Sequence, residues 1–92
     1  MKAKAREIVL ENGLKLKIDE NALDDMELLE LLADLDDGNG YAIPRVCKKL
    51  LGEDQKKALY ESIRVDGKVS ITGAVEAMKE ILDKLGDTGK NS

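Results

Sequence analysis

The chain has 92 residues, a net charge of −4, one cysteine, and no histidine, phenylalanine or tryptophan. Without histidine no side chain titrates near neutrality and no imidazole is on hand for a metal, which removes most hydrolase and zinc chemistries. A lone Cys47 forms no internal disulfide, and a chain with neither a signal-like start nor an apolar run of about 18 residues reads as a protein of a reducing cytosol.

Charge is unevenly placed. Residues 20–40 carry eight acidic and no basic side chains, whereas residues 41–68 carry seven basic and four acidic ones. A net acid with no aromatic and basic patch is a poor binder of nucleic acid, and nothing in the sequence suits a membrane. A domain of this size buries roughly 60 % of its unfolded surface and keeps a thin stability margin, so it often gains from assembly.

Residues 6–19 alternate apolar and polar on both sides of Asn12-Gly13, which predicts a β-hairpin. A two-residue loop would split the apolar side chains between faces. A three-residue loop, with Glu11 and Asn12 in a turn and Gly13 as a left-handed bulge, sets Leu10 opposite Leu14 and Ile8 opposite Leu16. Ile8, Leu10, Leu14, Leu16 and Ile18 then share one face, and burial of that face selects this register. A two-stranded ribbon is marginal alone, so the face is expected to lie on helices or to pair with another chain.

The next element, about 24–37, reads as an amphipathic helix capped by Asp24, with Glu27 three residues on and Leu23 stapled to Leu28. At 100° per residue Leu28, Leu29, Leu31, Leu32 and Leu35 span an arc of about 160°, opposite Glu27, Glu30 and Asp34. Met26 and Ala33 widen it. The arc exceeds what one neighbour covers, which makes Met26, Leu29 and Ala33 candidate contact residues for another chain. Asp37-Gly38-Asn39-Gly40 ends the helix.

A helix over 43–51 follows, with Pro44 in its first turn and Gly52 as its stop. Ile43, Val46, Cys47, Leu50 and Leu51 form its apolar side, and Arg45, Lys48 and Lys49 a basic stripe suited to the acidic stripe of a second copy. Residues 53–64 suit a further helix, 65–69 a turn, and Ser70 caps a last helix over 70–85 with the stripe Ile71, Val75, Met78, Leu82 and Leu85. Gly86 is expected to stop it, leaving 87–92 as a disordered tail. The whole reads as one α+β domain, 1–86, with a hairpin packed on a small bundle of about four helices.

Three motifs fall short of chemistry. Asn21 to Leu29 is similar to the recognition helix of an acyl carrier protein, but Ala22 stands where a carrier needs its serine. Asp34, Asp36 and Asp37 fail the calcium-loop spacing, since Arg45 occupies the glutamate position. Gly86 to Lys90 lacks the strand and spacing of a phosphate loop. Cys47, on an apolar face with no histidine to activate it, reads as a packed thiol. No catalytic residue, cofactor site or metal ligand emerges.

From Leu23 to Val69 the chain resembles the small tail assembly chaperones of long-tailed bacteriophages and prophages of Gram-positive hosts. The resemblance is carried by Asp24-Asp25 before Glu27 to Leu32, by Ala42 to Val46 leading to Lys49 to Gln55, and by Leu59-Tyr60 leading to Arg64 and Asp66 to Val69. It departs at Met26, where an aromatic is expected. It implies a non-catalytic protein of the host cytoplasm that binds the tape-measure protein, recruits tail-tube subunits and is left out of the mature virion. It also implies a longer form made by ribosomal slippage, for which Gly89-Lys90 marks the place. A head-tail connector subunit and an acidic inhibitor of a host factor are the alternatives.

Overall fold

A computed structural model of the chain describes residues 5–90, and the fold is α+β. Strands β1 (Ala5–Val9) and β2 (Lys15–Asp19) form an antiparallel hairpin. Three helices follow, α1 (Met26–Asp36), α2 (Ile43–Ser62) and α3 (Ile71–Lys90), with a small second hairpin of β3 (Arg64–Val65) and β4 (Lys68–Val69) between the last two.

The hairpin register is the one that burial demands. Ile8 pairs with Leu16 and Val9 with Lys15, Gly13 takes φ +93°, and the Leu10 amide donates to the Leu14 carbonyl at 2.9 Å. Only a residue without Cβ holds that φ at no cost. Ile8, Leu10, Leu16 and Ile18 are buried and Leu14 packs half-buried beside them, in one core with Leu50, Leu59, Met78 and Ile81. Arg6 ties this sheet to the end of the bundle. Its guanidinium donates to Glu20 at 3.0 Å and to the Leu85 carbonyl at 3.1 Å.

Of the four helices expected, two are arms of one. Residues 43–51 and 53–62 run together as α2, bent at Gly52, whose φ of +79° no helix accommodates. The bend frees the Leu51 carbonyl, and Gln55 takes it up through Nε2 at 2.9 Å. The same amide also accepts from the Lys17 amide and donates to the Lys17 carbonyl, each at 2.7 Å. Gln55 therefore stands at the outer edge of β2 as one residue of a third strand would, and it occupies that edge at Lys17. Gln55→Leu is expected to cost about 0.5–1.5 kcal/mol, the net worth of hydrogen bonds whose backbone partners water can reach. Amide hydrogen exchange at Lys17 should rise in step; an unchanged Lys17 would show that the edge is closed by something else.

Four expectations need correction. The cap of α1 is Asp25, not Asp24: its carboxylate accepts from the Glu27 and Leu28 amides at 2.8 and 3.3 Å, because residues 20–23 wind into a 3₁₀ turn that carries Asp24 past the capping position. Leu23 is left exposed outside the stapling position. Ser70 does cap α3, accepting from the Gly73 amide at 3.0 Å, but Ile71 lies on its outer side. The buried stripe is Ala74, Ala77, Met78 and Ile81, with Val75, Leu82 and Leu85 half-buried at its margin. Finally, α3 does not stop at Gly86; its backbone stays helical to Lys90, since a glycine inside a helix costs only about 1 kcal/mol. The rest of the tail expected to be disordered, Asn91 and Ser92, lies outside the described residues.

Candidate interaction surface

Only Leu28 of α1 is fully buried. Leu31, Leu32 and Leu35 pack half-buried against the core, and the rest of the wide apolar arc faces out: Met26 is 67 % exposed, Leu29 56 %, and Ala33 lies beside them. These three residues, at i, i+3 and i+7, form a ridge along the solvent side of the helix. Leu23, in the 3₁₀ turn before the helix, is exposed as well.

The charges expected to flank this ridge divide into two groups. Lys49 reaches back to α1 and binds Asp25 at 3.0 Å and Glu27 at 3.5 Å, so this part of the acid and base pairing is closed within the chain. Its hydrogen bond to Asp25 holds the Asp25 carboxyl below the usual carboxylate range and raises the Lys49 ammonium. Glu30 and Asp34 on α1, and Arg45 and Lys48 on α2, are exposed and make no ion pair among the described residues.

Two open apolar hollows, each of about 490 Å³, flank the segment that joins α1 to α2. The first is a furrow between α1 and α3 walled by Leu32, Leu35, Val75 and Leu82, with Asp36 and Lys79 on its rim. The second is a groove between the starts of α2 and α3, walled by Tyr41, Pro44, Tyr60, Val69 and Ile71. Both tyrosines of the chain and its single proline line it. Tyr41 is 92 % exposed and Ile71 77 %, and Lys56 lies over the Tyr60 ring, 5.7 Å from its centre. Sequence reasoning missed this groove because its walls come from three segments, 9 to 30 residues apart. The available signal was the clustering of Gly40-Tyr41 with Pro44, an aromatic exposed beside a helix start.

Among the described residues no group of three or more metal-ligating side chains comes together, and no helix is long and apolar enough to cross a membrane. Cys47 is fully buried on α2, its Sγ 3.4 Å from Sδ of Met78. Burial pushes its thiol up to about 11, against the weaker opposing pull of Lys56. The unfolded thiol ionises near 9, so the stability this burial confers is whole below pH 9 and is lost as pH rises from 9 towards 11. Urea unfolding between pH 7 and 10.5 should show wild type losing up to about 1.4 kcal/mol per pH unit more than Cys47→Ala over that window; parallel curves would contradict the assignment. In comparisons with known proteins, no family model, curated protein or solved structure matches this chain.

Proposed function

We propose that the chain is a tail assembly chaperone, a non-catalytic protein that holds the tape-measure protein and brings tail-tube subunits to it in the host cytoplasm. The observation that carries this reading is the amount of large apolar side chain left facing water on so small a domain: Leu23, Met26 and Leu29 on one side, Tyr41, Val65 and Ile71 on another. Exposed apolar surface of this kind, rimmed by charge, marks protein contacts. A client segment rich in apolar side chains gains from such a surface before polymerisation buries it. The furrow between α1 and α3 suits an amphipathic helix laid lengthwise, in the manner of helix-in-groove recognition. The resemblance from Leu23 to Val69 supplies the identity of the clients.

Copies of the chain associate with one another in this reading, so that several line one long client. A connector subunit, the alternative reading, would stay in the particle. Mass spectrometry of purified virions separates the two. The chaperone is expected to be absent from finished particles while tube and tape-measure peptides are abundant; its presence at structural copy number would overturn the reading in favour of a connector.

A further inference from the structure

The chain holds two Asn-Gly pairs, Asn12-Gly13 in the loop of the first hairpin and Asn39-Gly40 in the segment joining α1 to α2, and all four residues are exposed. An asparagine before glycine is open to attack on its own side-chain amide, because the glycine has no Cβ to shield its backbone nitrogen. Both asparagines are turned back on the chain in the same way. Oδ1 accepts from the amide two residues on, that of Leu14 at 2.9 Å for Asn12 and that of Tyr41 at 3.1 Å for Asn39. Such a turn folds the side-chain carbonyl towards the glycine between, and the donated hydrogen bond steadies the oxyanion that attack creates.

The two pairs differ in the nucleophile and the leaving group. The Gly13 amide donates to the Leu10 carbonyl at 2.8 Å, and Nδ2 of Asn12 donates to Oγ of Ser62 at 3.2 Å. Neither the Gly40 amide nor Nδ2 of Asn39 has a hydrogen-bond partner among the described residues, and the space where a Gly40 Cβ would stand is open.

We propose that Asn39-Gly40 is a site of self-modification by deamidation, and that the fold protects Asn12-Gly13 from the same reaction. The Gly40 backbone nitrogen gives its proton to a base in the solvent and bonds to Cγ of Asn39. The Cγ–Nδ2 bond breaks, and Nδ2 takes up a proton and leaves as ammonia. A five-membered succinimide remains. Water then opens it at one of two carbonyls: cleavage at Cγ leaves aspartate in place of Asn39, and cleavage at the backbone carbonyl leaves isoaspartate, with the main chain routed through the side-chain carbon. Nothing is oxidised or reduced, and water is the one co-reactant.

The aspartate product has a receiving group. Asn39 lines a hollow with Asp34 and Arg45, so the new carboxylate joins Asp34 beside a cation that has no ion pair among the described residues. The isoaspartate product lengthens the link between α1 and α2, where Gly40 lines both the furrow and the groove.

Reaction at Asn12 must first break two hydrogen bonds, which at the lower end of their usual net worth slows it about fivefold. The test is to hold the full chain in mildly alkaline buffer, folded and in urea, digest samples in weak acid and follow both peptides by mass spectrometry. In the folded chain Asn39 is expected to convert at least about fivefold faster than Asn12, giving separate aspartate and isoaspartate species. In urea the two should convert at similar rates. Gly40→Ala, at a position with room for a methyl group, should slow conversion of Asn39 and leave the helical dichroism unchanged. A ratio below about fivefold in the folded chain, or an Asn39 that converts in urea and stays an amide in the folded chain, would overturn the proposal.

Discussion

Met26→Asp is expected to weaken self-association at least about thirtyfold, and Lys48→Ala less than about fivefold. Met26 stands two-thirds exposed at the N-terminal end of the ridge. Burying such a side chain at a contact is worth about 1.5–3 kcal/mol, and the aspartate in its place must also leave water without a dedicated partner. Lys48 is an exposed rim charge, and pairs of that kind contribute about 0–1 kcal/mol, which is the fivefold limit. Equilibrium sedimentation of the two variants beside wild type measures both. Equal losses would mean that long-range charge, and not apolar contact, holds the copies together, and high salt should then dissolve wild-type assemblies too.

Leu28→Ala is expected to cost about 2–5 kcal/mol of folding stability, a large share of the roughly 5–15 kcal/mol that domains of this class possess. Leu28 is the single fully buried side chain of α1, so its loss opens a cavity at the one point where the helix is anchored in the core. Leu29→Ala, one residue on, should change stability by no more than about 0.5 kcal/mol because its side chain already faces water. Urea unfolding of both variants gives the contrast directly. Similar costs at the two positions would place the α1 anchor elsewhere along Leu31, Leu32 and Leu35.

The hairpin was legible because alternation and an Asn-Gly turn leave few registers, and burial of Ile8, Leu10, Leu16 and Ile18 removes all but one. The apolar side of α2 was legible for the same reason, in that each of Ile43, Val46, Cys47, Leu50 and Leu51 falls on one face. The stripe on α3 was misread at Ile71 because hydrophobicity alone favours isoleucine over alanine. Close packing favours the reverse, and Ala74 and Ala77 are the residues on the inner side. The cap shifted from Asp24 to Asp25 because two adjacent aspartates satisfy the same local rule, and only the preceding 3₁₀ turn decides between them.

The exposure of the candidate contact residues Met26, Leu29 and Ala33 could be read from the width of an arc. The internal use of Glu27 and Lys49 could not, since it depends on how α1 and α2 cross. Gln55 carried no sequence signal for its place at the β2 edge, which joins residues 38 apart in the chain.

The most direct measurement is co-expression of the chain with a tape-measure protein, the client proposed for it. A tape-measure protein that is insoluble when expressed alone is expected to become soluble and to co-purify with many copies of the wild-type chain, and Met26→Asp with Leu29→Asp is expected to lower the number of copies retained. A tape-measure protein that stays insoluble beside an abundant, folded wild-type chain, with no complex recovered from the soluble fraction, would contradict the chaperone reading.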